Sequence, residues 1–368
     1  MVAVSTAYST NTYYKAAASA QAAGAGIASA NTTPAPTTQP AATSVTLSDE
    51  ARAALDTKDF ATVIAEARAK LTALLTDAGR TSPLEGGKLA LNMASLDARE
   101  LFAMASDDAF TADEQEAAGL EMARRFEAAM AGPAAVAKVT GNYTGLYKAA
   151  AEYLDSLSPE EKTGKDWIAG RAAVTEGLKQ LQADPKTLPK TSEEDPVALY
   201  LALIQAGTGS GPQDIADVAT GARRAIDKLY ADAVSNGKAP SFNKNTTVGT
   251  YIDLSKFDSR SLSSIVLDTK GQFSPEEVTA ATAAMRQKSG AALLAGFNHA
   301  AKSSDPTAFS QNIISIFSSM SIEERQAAGW SDKFYEAAVQ SYQSTNKLMQ
   351  MFGDASGGSS SFLSWMGK

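Results

Sequence analysis

The feature that most constrains this chain is that much of it is written twice. Phe60, Val63, Ile64, Ala67, Leu71, Leu74, Leu75 and Ala78 recur at spacings of three and four, one apolar stripe of a 3.6-residue helix. Moved along by 155 positions, the stripe returns as Ile215, Val218, Ala219, Ala222, Ile226, Leu229, Tyr230 and Ala233, with Arg68 matching Arg223 and Asp77 matching Asp232. Three further blocks repeat in the same order. Leu96-Asp-Ala-Arg-Glu-Leu101 pairs with Phe257-Asp-Ser-Arg-Ser-Leu262, and Phe110-Thr-Ala-Asp-Glu114 with Phe273-Ser-Pro-Glu-Glu277. Leu154 to Glu161, ahead of Trp167, pairs with Phe317 to Glu324, ahead of Trp330. The offset grows from 155 to 161 to 163, so the second copy carries about eight extra residues. They fall around 234–250 and around Gly271, where a loop absorbs an insertion without disturbing a packed face.

A chain built this way is expected to be all-α, a tandem duplication of two helical domains with about five helices each. The first copy spans 47–182, with helices near 58–79, 97–106, 111–131, 143–157 and 158–182. The second spans 212–351, with helices near 213–234, 258–268, 274–297, 305–320 and 321–350. Between them, 183–211 reads as a linker: its Pro-rich, charged start cannot continue a helix, and a short helix near 197–205 runs into the glycines of 207–211. Val248–Leu254 is the best candidate for extended strand. A copy of roughly 130 residues is long enough to bury a core of its own.

Residues 1–46 carry one charged side chain, Lys15, and almost no large apolar ones. Such a segment cannot offset its ordering entropy by burial, so a disordered tail is expected. Ala16–Ala30 has the small residues of a cleavage site, but Ile27 is its only large aliphatic residue, short of what an apolar signal core needs. Residues 352–368 read as a Gly/Ser tether ending in an apolar patch of Phe362, Leu363, Trp365 and Met366, an interaction segment in composition.

Composition removes several chemistries. No cysteine is present, so disulfides, thiolate nucleophiles and Cys-bound zinc or iron–sulfur sites are excluded. His299 is the sole histidine, which leaves no multi-His metal site, and on an Ala-rich helix it reads as a surface residue. The net charge of −8 argues against nucleic acid, no stretch is long and apolar enough to span a membrane, and no phosphate-cradling glycine loop is found. No cofactor is expected.

The paired carboxylates are the obvious acid–base candidates, and their spacing assigns them elsewhere. Glu160/Glu161, Glu323/Glu324, Asp113/Glu114 and Glu276/Glu277 each follow a Ser or Thr by two and three residues. That is the capping box, in which the hydroxyl accepts from the third amide of the helix and the glutamate reaches back to the cap. Asp97 and Asp258 read as caps as well.

The helix–loop–helix at Asp97–Met130, repeated at Asp258–Phe297, resembles a degenerate EF-hand. The resemblance makes Gly271 the turn glycine and Phe273 the loop hydrophobe, with Asp268, Ser274 and Glu277 at liganding positions. Val266 and Lys270 stand where two acidic ligands belong, and the first copy's loop is about two residues shorter. Trp167 and Trp330, at matching places, are expected to anchor cores. Val45-Thr-Leu-Ser-Asp-Glu-Ala-Arg52 is similar to stretches in bacterial flagellar-export substrates.

Three functions follow as expectations. The first is a non-catalytic structural or protein-interaction protein, bacterial and exported without a cleaved signal, with a protein as its partner. The second is a divalent-ion-responsive module on the hairpin loops. The third is an enzyme using carboxylates alone. A specific site is expected where the copies differ or in the groove between them.

Overall fold

A computed structural model describes residues 58–207 and 213–357. The tail 1–46, the Val45–Arg52 stretch, the glycines of the 207–211 joint beyond Gly207, and Phe362, Leu363, Trp365 and Met366 lie outside the described residues. The described chain is mostly helical. Its helices are α1 (Phe60–Ala78), α2 (Ala98–Ser106), α3 (Ala112–Thr140), α4 (Thr144–Ser156), α5 (Lys165–Ala183), α6 (Pro196–Ala206), α7 (Ile215–Ser235), α8 (Ser259–Leu267), α9 (Pro275–Ala301), α10 (Ala308–Ser319), α11 (Ile322–Ala328) and α12 (Asp332–Gly357).

The stripes seat as their periodicity requires. Val63, Ala67 and Leu71 of α1 are buried, as are Val218, Ala219, Ala222, Ile226 and Ala233 of α7. Asp97 caps α2, Ser274 caps α9 and Ser321 caps α11, each with both bonds of the capping box closed. Thr111 and Glu114 exchange the same two bonds at the start of α3.

Several boundaries differ from the sequence expectation. The helix expected over 158–182 starts only at Lys165, because the chain after Ser158 makes a 3-10 turn at Glu161–Thr163 that ends in extended backbone at Gly164. The helix expected over 111–131 continues through Pro133 to Thr140. The one expected over 321–350 is two, since Gly329 takes a left-handed conformation (φ 74°) that closes α11. Extended structure is slight. β1 (Leu84–Glu85) and β2 (Lys88–Leu89) form an antiparallel hairpin, and β3 (Ala239–Ser241) pairs in parallel with β4 (Gly249–Tyr251); of these four strands only β4 lies inside the stretch expected to be extended.

The chain gathers into two compact units. One holds the described residues up to Leu89, Ser95–Met122 and Leu157–Ala169. In it α1 lies against α2, with Leu71, Leu101, Phe102 and Met104 buried. The other holds Ala90–Ala94, Ala123–Ser156 and the chain from Gly170 onward. Its larger core joins α7, α8 and α9 through Ile226, Leu262, Ile265, Phe273 and Met285. A second core sets Ile313 and Ile314 of α10 and Ala338 of α12 against α3 and α9.

Residues 184–195, read from sequence as linker, are fastened within this second unit. Asp195 is fully buried and caps α6, and its carboxylate accepts from Tyr147 Oη at 2.7 Å and from Thr191 Oγ1. Gln180 pairs with both main-chain groups of Lys190 at 3.0 Å, and Tyr143 N donates to the Pro185 carbonyl. A prolyl segment without regular structure is thus held by hydrogen bonds from the helices it crosses.

Candidate functional site

Most of the repeated carboxylates are occupied by structural work, while Glu276 stands exposed. In the first unit Arg68 donates to Glu114 Oε1 at 2.7 Å and to the Ala109 carbonyl, and its guanidinium lies 4.2 Å from the centre of the Phe110 ring. In the second, Arg223 donates to Glu277 Oε2 at 2.7 Å and to the Gln272 carbonyl, 5.5 Å from the Phe273 ring. The four positions of one clasp match the four of the other. Burial pushes both carboxyls up, but the arginine and the capping amide outweigh it and hold them below the usual carboxylate range. Arg99 with Glu160, and Arg260 with Glu323, form a second matching pair of ion pairs.

The residues that the EF-hand resemblance assigns to metal are placed in this same clasp. Asp268 adopts a left-handed backbone (φ 36°) and its carboxylate accepts from Gln272 N at 2.7 Å, closing the loop that Gly271 turns. Ser274 Oγ accepts from Glu277 N. Both oxygens of Glu277 are taken, Oε2 by Ser274 N and Arg223, Oε1 by Tyr230 Oη at 2.7 Å. Among the described residues no group of three or more acidic or histidine side chains is placed to hold a metal ion, and no helix is long and apolar enough to cross a membrane.

One glutamate departs from the pattern. Glu161 accepts nothing at either carboxylate oxygen and is 6% exposed, whereas its counterpart Glu324 returns to Ser321 N at 2.7 Å. Only the half of the box from Glu161 N to Ser158 Oγ is formed. Burial pushes its carboxyl up to about 8, with Lys162 opposing. Glu161 does not line the cleft described next.

The second unit contains a cleft of about 690 Å3. One wall is the C-terminal half of α3 and the first turn of α4, with Pro133, Val136 and Asn142. The others come from the end of α9, from α10 and from α12, so residues near 133–145 face residues near 299–350. Two glycines permit the close helix approaches behind these walls. A Cβ at Gly132 would lie 2.7 Å from the Ser315 carbonyl oxygen, and one at Gly296 would lie 2.6 Å from Asn312 Cγ.

The lining is rich in amides and hydroxyls and poor in charge. Asp305 is committed locally, accepting from Thr307 and Gln311, and Asn142 accepts from Thr144 N. Tyr342, Asn346 and Gln350 stand four residues apart along α12, and their side chains have no hydrogen-bond partner among the described residues. Successive members are thus about 6 Å apart. Burial and the nearby Asp305 raise the Tyr342 hydroxyl above its ordinary value, so it stands as a donor. His299 is exposed, as a surface reading expects, and it lies at the cleft edge, as does Lys186.

Beside the cleft-lining Ala308, Phe309 meets Phe297 edge to face at 5.9 Å, and with Leu294 they leave 39%, 57% and 60% of their surfaces exposed. Trp330 is half-buried between Phe317 and Phe334. No pattern within a few residues marks the cleft in the sequence. The single available signal was the i, i+4, i+8 spacing of Tyr342, Asn346 and Gln350 on a helix. No family model, no curated protein and no solved structure matches this chain.

Proposed function

We propose that this chain is a non-catalytic protein-interaction protein whose cleft receives an extended, weakly charged segment of a partner protein. The observation that carries the reading is the unpaired ladder of Tyr342, Asn346 and Gln350. An extended polypeptide repeats its main-chain groups every two residues, about 6.6 Å, close to the ladder's step of about 6 Å. Carboxamide side chains offer a donor and an acceptor together, which suits a peptide main chain better than it suits an ion. The exposed Phe297–Phe309 pair at its side adds the aromatic surface that protein interfaces favour. The matching Arg68 and Arg223 clasps support reading the helical modules as a duplicated scaffold, with the cleft lined by residues near 133–145 of one copy and near 299–350 of the other.

A photo-crosslinking residue at position 346 or 350, in cells of the source organism, tests this. Both positions are expected to capture one discrete protein adduct, and the exposed Glu176 position on α5 none. No adduct from either cleft position sinks the proposal. Export without a cleaved signal, drawn from the uncharged residues 1–46, is a separate part of the reading. Fused to a reporter, those residues are expected to carry it outside the cell, and a reporter retained inside ends that part.

A further inference from the structure

The end of α12 leaves apolar side chains in solvent. Leu348 is 52% exposed and Met351 60%, three residues apart and so on one face of the helix. Tyr342, Asn346 and Met349 line the cleft, roughly half a turn away. The chain that follows α12 is Gly358 and three serines, then Phe362-Leu-Ser-Trp-Met366, four large apolar residues in five.

We propose that Phe362–Met366 folds back antiparallel along the last turns of α12 and covers Leu348 and Met351 of the same chain. The lengths allow it. From Gly357, the end of α12, Met351 lies about 9 Å back along the axis and Leu348 about 13 Å. Five extended residues take Phe362 about 17 Å and eight take Trp365 about 26 Å, beyond both. Gly357 and Gly358 accept the left-handed conformation that reverses a chain at a helix end. A tether this short holds the segment at millimolar effective concentration, which favours this occupant over a second copy at micromolar protein. Trp365 on the Met351 thioether is a favourable aromatic–sulfur contact. The proposal does not rest on the cleft.

The test uses the full chain labelled with 5-fluorotryptophan, with the Trp365 resonance assigned by its loss in Trp365→Phe. The expected result is a Trp365 fluorine with little H2O/D2O isotope shift, independent of protein concentration. In Leu348→Lys/Met351→Lys that shift is expected to rise to the value of a free indole with the melting temperature unchanged. A fully solvated Trp365 in the unmodified chain overturns the proposal. So does protection that grows with concentration, which would assign the face to a second copy. Protection that survives the double lysine variant would place the segment elsewhere and overturn it too.

Discussion

The Arg223 guanidinium reaches across 54 residues of sequence to a Glu277 carboxylate that is 2% exposed, with Nη1 to Oε2 at 2.7 Å. Removing the cation strands a buried charge whose other partners are one tyrosine hydroxyl and one main-chain amide. Arg223→Ala is expected to cost about 3 kcal/mol. At the matching clasp Arg68 and Glu114 are 36% and 9% exposed, so Arg68→Ala is expected to cost about 1–2 kcal/mol. Urea unfolding of both variants checks the order, and an equal cost would contradict the dependence on burial.

Glu161 supplies a pH dependence of unusual sign. Its carboxyl is raised from about 4.5 to about 8 by burial, so the folded chain keeps a proton that the unfolded chain releases. Stability is therefore fully present below about pH 4.5, is lost as pH rises towards 8, and changes little above that. The full loss is on the order of 5 kcal/mol. Glu161→Gln removes the titrating group. The stability of the unmodified chain relative to this variant is expected to fall between pH 5.5 and 8.5, and a constant difference would disprove it.

Gly132→Ala places a methyl group where the Ser315 carbonyl oxygen stands 2.7 Å away, on two helices that both line the cleft. The helices must part to admit it, at a cost of about 1–3 kcal/mol. Gly119, earlier on the same helix, meets nothing within 4 Å, so Gly119→Ala is expected to be neutral or stabilising. Thermal melts of the two variants separate packing from helix propensity.

Tyr147→Phe removes one donor from the fully buried Asp195. Thr191 and the two capping amides of α6 remain, so the expected cost is about 1–2 kcal/mol rather than collapse. Amide hydrogen exchange is expected to quicken at 184–195, the segment that Asp195 and Gln180 hold down. Exchange unchanged there would show that Asp195 does not fasten the segment.

What the sequence determined by itself is what neighbours three or four residues apart decide. The burial of Leu71 and Ile226, the boxes at Asp97, Ser274 and Ser321, and the helical character throughout all rest on hydrogen bonds and faces within one turn. Even there the context intervened: Ser158 and Ser321 head nearly the same words, yet one opens a 3-10 turn and the other an α-helix. Only the tertiary structure decided that Glu161 lies buried without a partner while Glu324 closes its box, since burial depends on what packs from elsewhere in the chain. The same holds for the cleft. Asn142 and Gln350 are brought to one cavity by helix packing across some two hundred residues, and no local periodicity encodes a meeting at that range.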